Sequence, residues 1–513
     1  MLQFGPWRAL PATRRSLAVA GFVLAGIVLF LARLRFAATE PLWFDEAFSL
    51  AIVARPDGPG FWHEVWLDSN GPAYYLLLRA WTAVFGTSDL ALRGPGLLAV
   101  ILAGLLPAIA PPRGMARGAR LVWPALIYCW WGVGFFLDAR CYALLLAVST
   151  AQCLAFAGLM RAPGLRRASV WAGLSALAIL FHYYALFVAL AQGLIYLARH
   201  RWAALRTWPA VLAFIPVAGW IAYHAPRLAQ YASLSKAWHP PIDAGRALEL
   251  VAFAVGPTQP LVLPAIAATL AAAWLLRGSR SPDPRAGPSP APSALVLTAA
   301  SGALAFAFML AFALLGSGIS PRYLVPLAPA LLLGVTLLAA ASPRPGLACA
   351  ALLILCLGVQ VKPALDAFGP VRDLPRYEFE TAADALMAQD VSDVVFVWDH
   401  ELAPIMAPDT LREVGGVFFE RAHRPIRVIP LVVPAGRDAN REILAAATGP
   451  RPGLIWMFNR EGRTAAHAFP PAIERFDPDW KCLPTADATV GGLGCHRSAG
   501  PSSPPPTLRP PSR

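Results

Sequence analysis

The sequence predicts an all-α polytopic membrane protein of about eleven transmembrane helices, with interfacial helices in the first outer loop and a small α/β domain at the C-terminal end. Three observations predict it. Of 513 residues, 57% are hydrophobic and 14% charged, where a soluble chain carries about 25% charge. Apolar runs of roughly 17 residues or more, enough to cross about 30 Å of hydrocarbon, recur from residue 16 to residue 361. Beyond 361 the composition turns mixed, with nineteen acids and fifteen bases between 362 and 497. A string of soluble cytosolic domains is excluded.

The spans read as 16–36, 90–110, 121–137, 141–160, 168–183, 184–198, 207–224, 248–276, 294–316, 324–341 and 346–361. The first has Arg14 and Arg15 ahead of it and Ala37-Ala38 behind, as a signal peptide would. Its length and the spans that follow favour a retained helix. Pro72 to Gly86 is too short to cross, about 22 Å as a helix, and Arg79 sits mid-way. It reads as a helix lying in the interface, with Tyr74, Tyr75 and Trp81 as its anchors.

The net charge is +13, and every base except Lys236, Lys362 and Lys481 is arginine. With eleven spans and the N-terminus inside, the inner ends and loops hold sixteen arginines against one acid, Asp283, while the outer ends and loops hold ten bases and ten acids. This is the positive-inside bias. The basic balance therefore reports topology in a cell inner (plasma) membrane, with the lipid bilayer as partner and no nucleic acid.

The same topology puts residues 362–497 in the periplasm or its extracytoplasmic equivalent. Val391–Val397, Ile426–Val433 and Leu454–Phe458 read as short buried strands, with 380–389 and 438–447 as helices. Cys482 and Cys495 are the two cysteines beyond the membrane part, and a disulfide between them suits an oxidising compartment; two buried thiols are the alternative. The other five cysteines lie in apolar spans as packing residues. Ser279 to Ser293 reads as an inner Pro/Ser linker and 498–513 as a disordered Pro/Ser-rich tail.

Charge near hydrocarbon is costly, about 2.5 to 3.5 kcal/mol per residue at mid-bilayer, so its placement is informative. Asp45 and Glu46 follow the first span, Asp138 and Arg140 the third, His182 and Tyr183 with Tyr184 the fifth, Lys236 and His239 the seventh, and Arg322 with Tyr323 the ninth. All these loops open to the outer face. A carboxylate pair facing several cations there can hold an anionic lipid headgroup and deprotonate a hydroxyl beside it. The bland readings are a hydrated helix end for the acids, snorkelling for the arginines and an interfacial belt for the aromatics. Carboxylates suit Mg²⁺ or Mn²⁺, but no ligand spacing argues for either metal.

The stretches WFDEAFSL at 43–50, NGPAYYLLLRAWTAVFG at 70–86, DARCYALLL at 138–146, FHYYALF at 181–187 and SPRYLVPLAPAL at 320–331 resemble GT-C glycosyltransferases of family 39 type. These are relatives of protein O-mannosyltransferases and lipid A aminoarabinose transferases. The resemblance covers about residues 20 to 340. It departs at Asn70-Gly71-Pro72, where many relatives have His-Pro-Pro, and at Asp138-Ala139-Arg140, where they have Glu-x-Arg.

The resemblance implies inverting transfer of a sugar from a polyprenyl-phosphate donor to a hydroxyl or amine of an envelope lipid, glycan or protein, at the outer face. Asp45 would be the general base, with Glu46 beside it. Arg140, Arg322 and Lys236 would hold the donor phosphate, and Asp138, His182, Tyr183, Tyr323 and Asn70 would line the cavity. The catalytic domain would be 1–361. Two other classes compete: a flippase for a lipid-linked sugar, which would place ionisable residues near the midplane of the spans, and an inactive relative acting as an assembly partner through 362–497.

Overall fold

The computed structural model describes residues 12–116, 118–129, 137–238, 242–255, 267, 271, 293–315, 319–369, 378–398, 408–432, 439–459, 473–482 and 490–498. The chain forms two compact units, one of residues 1–40 and 52–371, the other of residues 41–51 and 372–513. The short segment 41–51 thus folds with the C-terminal part of the chain, a placement that linear order does not suggest.

The first unit is helical. Among the described residues six helical stretches are long and apolar enough to cross a membrane: Asp89–Ile109, Tyr142–Arg161, Ala185–Tyr231, Ala294–Leu314, Pro321–Ala341 and Pro345–Phe368. Helix Ala12–Thr39 adds 28 residues and packs against Pro345–Phe368 and Asp89–Ile109, so it is an integral part of the bundle. Pro72–Phe85 is a 14-residue helix starting at its proline, where the missing N–H costs nothing.

Several spans differ from expectation. The stretch read at 121–137 is helical over Ala119–Cys129, with 130–136 outside the described residues. The span read at 248–276 is helical over Ala244–Val255, and nearly all of the rest, like the 279–293 linker and the tail after 498, lies outside them. The loop expected between 198 and 207 is not a coil: a 3-10 helix, Arg201–Phe214, joins Ala185–His200 to Ile215–Trp238. Its Trp202, Leu205 and Trp208 are exposed.

The second unit holds a five-stranded sheet in the order β2-β1-β3-β5-β4, with β1 Asp393–Trp398, β2 Arg427–Val432, β3 Pro452–Asn459, β4 Trp480–Cys482 and β5 Val490–Arg497. β1 pairs parallel to β2 and β3, and β5 pairs antiparallel to β3 and β4. Helices Glu378–Ala388, Pro408–Arg421 and Ala439–Ala446 accompany it. β1 to β3 are the three apolar runs of the sequence. Helix Pro408–Arg421 and strands β4 and β5 went unread, because Gly491, Gly492 and Gly494 dilute the apolar pattern of β5. Cys482 and Cys495 lie opposite each other across β4 and β5 and form a disulfide.

Candidate active site

Several arginines of the first unit cap helix C-termini, whose last carbonyls lack intrahelical partners and favour a cation. Arg93, fully buried, donates to the carbonyl of Glu40 at 2.5 Å, just past Ala12–Thr39. Arg35 donates to Ala367 and Gly369 at 2.9 and 3.1 Å, and Arg33 to Tyr128 at 2.7 Å. Arg227 donates to Leu67 at 3.0 Å. These arginines are architectural.

Arg140 and Arg322 are different. Arg140 follows the turn at Asp138, whose carbonyl accepts the Arg140 N–H at 2.6 Å; both residues are 8% exposed. Its Nη1 donates to the Tyr75 hydroxyl at 3.1 Å, and its Nη2 lies 4.0 Å from Asp68 Oδ1. The Tyr75 hydroxyl in turn donates to Asp68 Oδ2, which also accepts Asn70 Nδ2 at 3.0 Å. Burial pushes the Asp68 carboxyl up, but Arg140, Tyr75, Asn70 and the Ser69 N–H outweigh it and hold it below its ordinary 3.8. A carboxylate so saturated is a fixed anion and a poor base.

Arg322 lies with its guanidinium 5.6 Å from the centre of the Tyr142 ring. That ring is 5.7 Å from His182, which is 4.9 Å from Tyr323, itself 4.8 Å from Tyr184. His182 occupies the link between helices Leu165–Phe181 and Ala185–His200. Burial, with the Arg322 and Arg140 charges, pushes its imidazole down to about 3, so it is neutral at physiological pH.

The loop carrying Asp68 and Asn70 is clamped from helix Ile215–Trp238. His224 Nε2 contacts the Trp66 carbonyl at 2.8 Å, and Tyr231 donates to the Leu67 carbonyl at 2.9 Å. The other His224 nitrogen meets the Tyr183 hydroxyl at 2.6 Å, which accepts Trp220 Nε1 at 2.7 Å. With Nε2–H donated to the carbonyl, the tautomer leaves Nδ1 to accept a hydrogen bond from the Tyr183 hydroxyl. Gly71 completes the loop: a Cβ there would stand 2.0 Å from the Leu180 carbonyl oxygen. No side chain fits there without a shift of the Leu180 backbone.

Arg140, Arg322, Asp138, His182, Tyr183, Tyr323 and Asn70 thus share the first unit. Asp68 and Tyr75 were missed as site residues. Asp68 counted only as a loop charge, and Tyr75, read as an interfacial anchor, is fully buried because its hydroxyl serves the carboxylate and Arg140. An acid two residues before an Asn-Gly-Pro helix start was the available signal. Lys236, expected in a loop, falls inside helix Ile215–Trp238, since no helix breaker separates Pro226 from Pro240; its side chain lies outside the described set, as does His239. Among the described residues no group of three or more His, Cys, Asp or Glu side chains is arranged to hold a metal ion.

Asp45 and Glu46 belong to the second unit, in the first turn of helix Phe44–Ala54. Acids there suit the positive end of the helix. Glu46, fully buried, accepts the Trp43 N–H at 3.1 Å, the carboxylate half of a capping box. Asp45 is half-buried, and its carbonyl accepts the Ser49 hydroxyl at 3.2 Å.

No family model and no curated protein matches the sequence. The fold is similar to the crystal structure of ArnT from Cupriavidus metallidurans in the apo state, at 13% identity and a TM-score of 0.57, covering 95% of this chain and 99% of that one. It is similar also to ArnT from the same organism bound to undecaprenyl phosphate, at 13% identity and a TM-score of 0.58, covering 96% and 100%. At such identity the likeness is one of fold alone.

Proposed function

We propose that the protein is an inverting glycosyltransferase that moves a sugar from a polyprenyl-phosphate donor to a hydroxyl or amine of an envelope lipid, glycan or protein, at the outer face of the inner membrane. The observation that carries this reading is the buried Asp68–Tyr75–Arg140 group beside Arg322 and His182, in the fold of a protein solved with undecaprenyl phosphate. A fixed guanidinium is the side chain best matched to phosphate oxygens. A flippase would distribute ionisable groups through its spans. The buried polar residues along Tyr142–Arg161, Leu165–Phe181 and Ala185–His200 are instead neutral: Ser149, Thr150, Gln152, Ser175 and Gln192.

In the proposed reaction Asp45 takes the acceptor proton as the acceptor oxygen or nitrogen bonds to the anomeric carbon. The bond from that carbon to the phosphate oxygen breaks, and its electron pair leaves with the polyprenyl phosphate. Arg140 and Arg322 stabilise the charge developing there. A positioned base contributes about 10² to 10⁴ in rate, and a lost oxyanion donor costs about 10² to 10³. Back-side attack inverts the sugar carbon. The arginine bias of the inner loops supports a cytoplasmic N-terminus and an extracytoplasmic 362–497 domain.

The test is Asp45→Asn in lipid nanodiscs, with release of undecaprenyl phosphate followed from a panel of synthetic undecaprenyl-phosphate monosaccharides in the presence of envelope extract. The variant should bind undecaprenyl phosphate as the wild type does and turn over at least 100-fold more slowly. Comparable turnover removes the base assignment. Mass spectrometry of envelope lipids and glycans with and without the protein identifies sugar and recipient.

A further inference from the structure

Residues 41–51 fold with the C-terminal unit, and a specific contact ties them there. The N–H of Leu42, a fully buried residue, donates to Oε2 of Glu380, 338 residues away. Glu380 lies in helix Glu378–Ala388 and is 8% exposed. Its other oxygen accepts Nη2 of Arg421 at 2.9 Å, from helix Pro408–Arg421. Arg421 also stands over the Phe418 ring at 5.8 Å, and Phe418 packs edge-on against Phe379 at 5.1 Å. The carboxylate that grips Leu42 is thus set from two helices of the domain.

The next N–H along the chain, that of Trp43, goes to Glu46 at 3.1 Å. Two successive amides at the start of helix Phe44–Ala54 therefore end on carboxylates, one from the domain and one from the helix itself. Asp45 lies inside that turn. We infer that Glu380 is a positioning residue for Asp45: the C-terminal domain holds the entry to the helix that carries the proposed base. The inference rests on the sugar-transfer reading for its functional consequence, and on the Glu380–Leu42 contact for its physical one. A buried N–H without an acceptor costs free energy, so loss of the carboxylate frees the turn to move. A displacement of about 1 Å in a reacting group can cost on the order of 10²-fold in rate.

Glu380→Leu and Glu380→Gln are compared with the wild type, full-length in nanodiscs, using the undecaprenyl-phosphate monosaccharide panel for kinetics and hydrogen exchange for the 41–51 peptides. Glu380→Leu should lower kcat about 10- to 100-fold with donor KM within about threefold, and speed exchange at 42–46. Glu380→Gln, which keeps an acceptor for Leu42, should recover most of kcat and slow exchange. The inference is overturned by unchanged kcat in Glu380→Leu, by equal damage in both variants, or by exchange at 42–46 that ignores the substitution. If Glu380→Leu does not fold, Arg421→Gln replaces it, with the same pattern expected at smaller amplitude and the same refutation. If the wild type releases no undecaprenyl phosphate from any donor, the sugar-transfer reading falls and the functional half of the inference with it, while exchange still decides the tether.

Discussion

Arg140→Gln perturbs donor binding and an internal charge balance together, and the two can be read apart. Arg140 bonds Tyr75 and lies 4.0 Å from Asp68, with side-chain exposures of 9% and 13% for the pair. Removing one partner of a buried pair costs about 3 to 5 kcal/mol. The Asp68 carboxylate keeps Tyr75 and Asn70 as donors, so the loss should lie near the low end, about 3 kcal/mol. In the wild type the folded pKa is below 3.8; the stability this group contributes is full above that value and is lost as pH falls through the folded pKa. Without Arg140 the folded pKa of Asp68 rises relative to the wild type. The variant's folded state then binds more protons than the wild type's, so the deficit is largest at high pH and shrinks as pH falls toward 4. His182, held down to about 3, binds fewer protons folded than unfolded below about 6.5 and costs stability there. Arg140 is one of the charges that hold His182 down, so its loss also eases protonation of His182, and the Asp68→Asn background separates that part from the part due to Asp68. Thermal inactivation in nanodiscs at pH 8 and pH 5 measures that difference, and undecaprenyl-phosphate binding measures the donor, expected to weaken about 10- to 150-fold for one charge-assisted hydrogen bond. Arg140→Gln with Asp68→Asn should regain stability and leave the donor defect. A deficit independent of pH, or unchanged donor affinity, refutes the reasoning.

Arg322→Ala should raise donor KM by at least tenfold and acceptor KM less than threefold, with steady-state kinetics on the synthetic donors deciding; the reverse pattern would move Arg322 to the acceptor side. Cys482→Ser should destabilise the C-terminal domain by about 3 kcal/mol, the chain-entropy cost of opening a loop of roughly 15 residues, read as a lower unfolding midpoint. In intact cells a membrane-impermeant maleimide should label Cys482 and Cys495 only after reduction; labelling without reduction contradicts the bridge, and no labelling after reduction contradicts the outer placement.

The fold was legible where one physical term dominates. Hydrocarbon demands long apolar runs, and Asp89–Ile109, Tyr142–Arg161 and Ala294–Leu314 stand where hydropathy places them. A parallel core demands short β-branched runs, and β1 and β2 follow. Legibility failed where the determining contact is distant in sequence. The Asn-Gly-Pro helix start marks the loop of Asp68, but only the arrival of Arg140 and Tyr75, 72 and 7 residues on, makes it a fixed anion. Segment 41–51 reads as part of the loop after the first membrane helix, within domain 1–361, because its partner Glu380 is 338 residues away.

The arginines show the same limit from the other side. The count of bases is a sequence property, but their work is decided by which acceptors surround them. Arg93, Arg35, Arg33 and Arg227 bond main-chain carbonyls at or just past the ends of other helices, a role any bundle of this size requires. Arg140 instead meets a hydroxyl and a carboxylate, and Arg322 an aromatic face. Neither partner is a structural necessity of the helices that carry them. Holding a guanidinium in place with a side-chain anion, when a carbonyl would discharge the same desolvation, is a choice that makes physical sense if a second anion is to be received beside it.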